Sequence, residues 1–242
     1  MTPDSAHIFS EIVNSRRSVR LFEDVPIPPD IMNRCLDLAL LAPNSSNLQP
    51  WTFYWVRDVV RKAVLAEACL SQPAARTAAE LIVCVGRTNT WRAHRREMLR
   101  RFEIATTAGQ YIPKSAWEYY RKIVPIAYTQ GWFGAIGLLK KIIFWGRGFF
   151  TPSPRSPTSL ADMRVWAAKS CALACENMML ALRAHGFDSC PLEGFDAVRV
   201  RRLLKLTRDA EVVMVIAAGK ASPRGVYGPR VRFAREEFVI EV

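Results

Sequence analysis

Apolar residues recur along this chain in two rhythms. Over residues 5–15, Ile8, Phe9, Ile12 and Val13 fall on one face at three- and four-residue spacing, which predicts a short helix ending at the basic run that follows. Ile31, Cys35, Leu38 and Leu41 or Ala42 repeat that rhythm, so a second helix is predicted over 29–41, begun by Pro28 and Pro29 and stopped by Pro43. The rhythm then changes. Residues 52–56 and 80–86 are short runs of β-formers with helical spacing between them, and 211–219 is apolar at consecutive positions, as a strand covered on both faces must be. The longest helix is predicted over 159–185. Ser159 and Asp162 make a capping-box-like start, Trp166, Leu173, Met178 and Leu182 supply a wide apolar face, and Gly186 stands where a left-handed residue ends a helix. A short basic helix over 198–206 completes an α+β pattern, a central sheet of about four or five strands covered by helices.

One stretch resists this scheme. Residues 126–150 carry Trp132, Phe133, Phe144, Trp145, Phe149 and Phe150 around Lys140, Lys141 and Arg147. Gln130 and the lysine pair interrupt its apolar runs, which fall short of the roughly 20 residues a membrane-spanning helix needs. A helix over 134–145 would put Ala135, Leu138, Leu139, Ile142 and Trp145 on one stripe, with the lysines towards its edge. The proline-rich run 151–157 reads as a loop, not a domain linker.

Composition narrows the class. At 242 residues, 50% apolar and 23% charged, the chain can bury one sizeable core, so a single domain over 1–242 is expected. The first residues show no basic region followed by an apolar one, and a cytoplasmic protein is expected. Six cysteines without a Cys-x-x-Cys pair read as reduced, buried thiols. Cys171 and Cys175 share a helix face, but no histidine is near them to complete a zinc set, and no metal is expected. The net charge of +12 raises nucleic acid or anionic membrane as partners. Its denser patches, Arg92–Arg95–Arg96–Arg100–Arg101 and Arg199–Arg201–Arg202–Lys205, have helical spacing and little aromatic interleaving, so they read as solvated faces and no nucleic-acid partner is expected.

Four segments carry chemistry. In Ser15-Arg16-Arg17-Ser18-Val19-Arg20, alternation puts Arg16, Ser18 and Arg20 on one side, two guanidinium forks around a hydroxyl, an arrangement suited to a phosphate monoester. Ala42-Pro43-Asn44-Ser45-Ser46-Asn47-Leu48-Gln49-Pro50-Trp51 is a loop rich in amide and hydroxyl groups that can line a polar ligand without charge. In Cys190-Pro191-Leu192-Glu193-Gly194-Phe195-Asp196, Gly194 permits close backbone approach, and the amides of Glu193 and Gly194 can donate to an electron-rich ring. Gly228-Pro229-Arg230-Val231-Arg232 repeats the alternating arginine pair.

Taken in this order, the four segments resemble the nitroreductase family of flavoproteins, from about Ile8 to Arg232. The resemblance implies an α+β fold with a mostly antiparallel sheet, an interlocked homodimer, FMN as cofactor and NADH or NADPH as reductant. It implies that Arg16, with Arg17 in the same set, and Ser18 bind the phosphate and ribityl chain, that Arg20 approaches the pyrimidine edge, and that Arg230 and Arg232 complete the phosphate site. Pro43, Asn44, Ser45, Asn47 and Gln49 would reach the flavin of the other subunit. The backbone of Pro191, Leu192, Glu193 and Gly194 would pass the flavin, with Glu193 and Gly194 facing N5 and O4. Where relatives often carry an asparagine beside the pyrimidine, this chain has Ser71, followed by Gln72.

The implied activity is electron transfer from NAD(P)H to a nitroaromatic, quinone or similar small acceptor by a ping-pong mechanism, with the flavin and no side chain as the reacting group. Two alternatives stand beside it: a flavin-fragmenting or reductively dehalogenating enzyme of the same fold, and a basic membrane- or nucleic-acid-binding protein without redox activity. The family motifs leave about 110–158 unaccounted for, and acceptor choice is expected to follow that excursion. It is read first as a lid in which Trp132 and Phe133 shape the acceptor pocket. A helix packed into the dimer core and weak peripheral contact with anionic lipid are the other readings.

Overall fold

The computed structural model describes residues 4–131 and 134–242, so Trp132 and Phe133 lie outside the described residues. Four strands form one antiparallel sheet in the order β1-β2-β4-β3: β1 Trp51–Val56, β2 Glu80–Arg87, β3 Asp188–Leu192 and β4 Ala210–Gly219. The two central strands are buried on both faces, which explains their unbroken apolar runs. On one face Leu81, Val83, Val85, Val215 and Ala217 meet α3 Val59–Ala68, α4 Pro73–Thr77 and α10 Ala197–Leu203. On the other, Ile82, Cys84, Met214 and Ile216 meet α2 Pro29–Leu40 and the long α9 Leu160–Ala184. The six cysteines are free and buried in these layers.

The helix starts follow local chemistry. Pro29 takes the first position of α2, where no intrahelical N–H bond is lost. The Ser159 hydroxyl accepts from the Asp162 N–H at 3.0 Å, while the Asp162 carboxylate accepts from the Thr158 N–H at 2.7 Å; that bond first, with further donors from Ser159 and Thr158, holds the carboxyl below its ordinary value. Gly186 closes the far end of α9 at φ +79°.

A third, smaller core lies over the start of α9. There Trp91 of α5 Trp91–Thr107, Tyr120, Val124, Tyr128, Met163 and Trp166 enclose Leu48. Tyr120 sits in a widened turn, Tyr119–Ile123, between α6 Lys114–Glu118 and α7 Val124–Tyr128. Pro125 cannot donate a backbone N–H there, which disrupts the regular ladder. Beyond it runs α8 Ala135–Arg147.

Several expectations are corrected. Of the predicted face of α2, Cys35 and, just past the helix, Ala42 are buried, but Leu38 and Leu41 are exposed and Met32 and Ala39 complete the buried face instead. Leu173 on α9 is exposed as well. The basic helix over 198–206 stops at Leu203, with Lys205 at φ +51°. The largest reversal is α8. Leu138, Leu139, Ile142 and Trp145 point outward, and Lys140, placed at the edge by spacing, is buried. The basic patches are not wholly solvated: Arg95 donates to the Tyr120 carbonyl at 2.5 Å, and Arg201 donates to the carbonyls of Ala210 and Thr207.

Candidate functional site

The arginine segment is held open by the fold. Val19 is in the core, and its N–H donates to the Ser189 carbonyl at 3.1 Å, while the Arg20 N–H donates to Gly225. The segment is thus clamped between β3 and the chain just past β4. A Cβ on Gly225 would lie 2.5 Å from the Leu21 carbonyl oxygen, so only glycine allows this approach. With Val19 turned inward, its flanking neighbours Ser18 and Arg20 face away from the core, as alternation requires.

Arg16, Arg17, Ser18, Arg20, Arg230 and Arg232 line one cavity of about 340 Å³, together with residues 226–229 and 231. Its lining holds five arginines and no carboxylate. Arg17 donates to the Gly228 carbonyl at 2.7 Å, and Arg230 donates to the carbonyls of Asn14 at 2.9 Å and Arg16 at 2.5 Å, so the two chain ends are tied across the cavity. Desolvation, with the like charges of Arg232, Arg17 and Arg16, holds the Arg230 guanidinium below its ordinary value. Such a cluster is stabilised by an anion, and a forked phosphate oxygen set is the natural match for its donors.

The glycine loop joins this patch through β3, since Ser18 pairs with Ser189 on the strand's first turns of the ladder. Glu193 and Gly194 are exposed, and among the described residues neither backbone N–H donates to another protein group. Pro191 is half-buried, whereas Leu192 belongs to the core and can offer a ligand only its backbone. Gln72 was not foreseen as a site residue: its amide donates to the Gly194 carbonyl at 2.7 Å, while the Asp196 N–H donates to the Ala68 carbonyl at 2.7 Å. These two bonds staple the glycine loop to the turn after α3, in which Leu70 and Ser71 both have positive φ, at 58° and 51°. Strain of this kind in non-glycine residues persists only when neighbours over-determine it. Ser71 is exposed beside this staple.

Residues 43–49 form a separate patch. Ser46, Asn47 and Gln49 have positive φ, and the Asn44 side chain accepts from the Gln49 N–H at 2.7 Å. Pro43, Ser45, Asn47 and Gln49 are exposed, while Leu48 anchors the loop in the third core. Tyrosines that sequence pattern did not single out hold it from above. Tyr128 is 2.9 Å from the Ser45 hydroxyl, Tyr119 is 2.6 Å from that of Ser46, and Tyr120 donates to the Ser46 carbonyl at 2.7 Å. Asn47 and Gln49 line a cavity of about 420 Å³ with His94, Glu97, Met98 and Arg101. Hydrogen bonds from Arg100 and Arg101 hold the Glu97 carboxyl down at about 2. This cavity shares no lining residue with the arginine cavity.

An α+β layer carrying an arginine cavity without a carboxylate is suited to a phosphorylated ligand. Residues 13–220 match the sequence profile of the nitroreductase family, and the chain belongs to that family. It is 26% identical over 220 residues to an NADH dehydrogenase of Thermus thermophilus, covering 91% of this chain and 90% of that one. It is 26% identical over 227 residues to a Bacillus subtilis protein named as the NAD(P)H nitroreductase MhqN, covering 91% and 95%. A solved structure from Exiguobacterium sibiricum, assigned as a nitroreductase in complex with FMN, superposes with a TM-score of 0.69 at 25% identity and covers 97% of each chain.

Proposed function

We propose that this chain is an FMN-dependent oxidoreductase that passes electrons from NADH or NADPH to a nitroaromatic, quinone or similar small acceptor. The observation that carries the proposal is the arginine cavity, where five guanidinium groups without a carboxylate suit the phosphate of FMN. Arg16, Arg17, Ser18, Arg230 and Arg232 would hold that phosphate and the adjoining chain, and Arg20 and Ser71 would approach the pyrimidine edge. The unpartnered N–H groups of Glu193 and Gly194 would donate to the flavin ring, with Gln72 fixing the loop that carries them. When bound, FMN supplies the redox chemistry, and the protein positions it and accepts donor and acceptor in turn. Trp132 and Phe133, on the 110–158 excursion, would shape the acceptor pocket.

The exposed faces of Pro43, Ser45, Asn47 and Gln49, with Asn44 bracing them, would complete the site of a second copy. A homodimer also accounts for the C-terminal residues Phe233, Phe238 and Ile240, which are exposed on the single chain among charges of both signs. The names of the relatives support the reductant and cofactor. Anaerobic addition of NADH or NADPH to purified protein, followed by a panel of nitroaromatics and quinones, tests the whole reading. A yellow protein, equimolar in FMN, should bleach and recover its colour. A colourless protein that takes up no added FMN overturns it. Within that reading, Arg230→Ala with Arg232→Ala should weaken FMN binding by about 100-fold or more, since each charge-assisted bond contributes about 1.5–3 kcal/mol. Unchanged FMN retention after dialysis would remove both arginines from the site.

A further inference from the structure

The helix α8 is inside out. Its inward positions are Gly137, Lys140, Phe144 and Gly148, and its outward ones are Ile136, Leu138, Leu139, Ile142, Ile143 and Trp145. Trp145 is 61% exposed, and Phe150 just beyond the helix is 89% exposed. The inward face is secured by contacts that need no apolar bulk. A Cβ on Gly137 would lie 2.3 Å from the Thr158 carbonyl oxygen, so the helix backbone packs directly on the loop before α9. The Lys140 ammonium donates to the carbonyls of Ile126, Ala127 and Pro157 at 3.2, 2.8 and 3.2 Å. The outward orientation is therefore imposed by specific anchors.

We propose that this face docks on an anionic lipid surface. Between Tyr119 and Ala161 the sequence carries no acidic side chain and six basic ones; Lys140 is buried on its carbonyls and Lys122 lies 3.9 Å from Glu118, which leaves Arg121, Lys141, Arg147 and Arg155. Among the described residues no salt bridge engages Lys141, Arg147 or Arg155, so their charge is free to meet an outside anion. An apolar helical face with aromatic side chains and basic flanks is the pattern of a helix that lies in the membrane interface. Among the described residues no helix is long and apolar enough to cross a membrane, and the proposed attachment lies in the plane of the interface. A second copy fits this face poorly. If the segment met its own copy across a two-fold axis, its basic side chains would find only one another, since residues 119–161 hold no carboxylate. The C-terminal residues, which mix Arg235 with Glu236, Glu237 and Glu241, lack that obstacle.

Co-sedimentation with vesicles tests the proposal without relying on turnover, so it stands apart from the redox reading. The intact protein is mixed with vesicles of phosphatidylcholine alone or with phosphatidylglycerol, at low and high salt. Binding should require phosphatidylglycerol and weaken with salt. Lys141→Glu with Arg147→Glu should lower the partition coefficient by at least about 25-fold, since each basic side chain near such a surface is worth about five-fold. Leu139→Ser with Trp145→Ser should abolish binding while leaving the circular dichroism spectrum and melting temperature in place. Protein that stays in the supernatant with phosphatidylglycerol vesicles overturns the proposal. So does binding that these variants leave intact, and so does a serine variant that turns from dimer to monomer by sedimentation, which would assign the face to a second copy.

Discussion

The adjacent helices α8 and α9 are both rich in apolar residues and both interrupted by basic ones, yet they face opposite ways. Over 25 residues α9 buries Met163, Trp166, Cys171, Cys175, Met178 and Leu182 between the sheet and its own neighbours. Over 13 residues α8 buries only Gly137 and Lys140. The difference lies in what each helix is offered. The sheet presents α9 with an apolar layer, so its wide stripe turns inward and the hydrophobic effect sets its rotation. The end of α7 and the proline loop present α8 with carbonyl oxygens, and an ammonium with a glycine answers them better than leucine can. Apolar content marks a helix face that needs covering; it does not say that the same chain covers it.

Three substitutions should separate the helices, the largest effect first. Met178→Ala, in the fully buried part of α9, should cost about 2–5 kcal/mol of stability by denaturant midpoint, the usual range for emptying a core site. A loss well under that would mean α9 can collapse onto the cavity, which would weaken the contrast. Lys140→Met should cost about 1–3 kcal/mol, because carbonyls satisfied by the ammonium lose their donor. Its signature should be faster amide exchange confined to α8, with the sheet unchanged, and uniform acceleration would show that Lys140 supports the whole fold. Ile142→Ser, on the outer face, should alter stability in the absence of lipid by no more than about 0.5 kcal/mol. A larger loss would show the face to be covered in solution.

Acid and base sharpen the same point. Desolvation holds the Lys140 ammonium below its ordinary value of 10.5, with Asp162 opposing the shift. Between that lowered value and 10.5 the unfolded chain keeps a proton that the folded chain releases, so stability contributed by this site rises with pH across that window. Lys140→Met should remove the slope, and denaturant midpoints for both proteins through the alkaline range would measure it. A slope shared by both would trace it to another group.

Part of the candidate site was legible residue by residue. Arg16, Ser18 and Arg20, picked out by alternation, line one cavity with Arg230 and Arg232 from the other end of the chain; Arg17, which the alternation sets on the opposite side, lines it as well. The edge strand β3 is not among the strands that the sequence pattern predicts; it holds Pro191 within five residues, which an edge strand tolerates where no ladder donor is needed. Gln72 was passed over because a lone glutamine carries no pattern. Its role comes from the turn at Leu70 and Ser71, which brings it within 2.7 Å of Gly194, a partner 122 positions away. The tyrosines over residues 43–49 were hidden for the same reason, their partners being more than 70 positions distant.

The sequence by itself determined most of the local elements, the double burial of β4 and the family, because each is written in periodicity, capping residues or short contiguous motifs. Tertiary structure alone decided the rotation of α2 and α8, the burial of Lys140, the core position of Leu192 and the division of the polar groups into separate cavities. Those depend on what lies opposite each side chain, and an apolar stripe or a lysine has the same spacing whether it meets a sheet, a row of carbonyls or the surrounding medium.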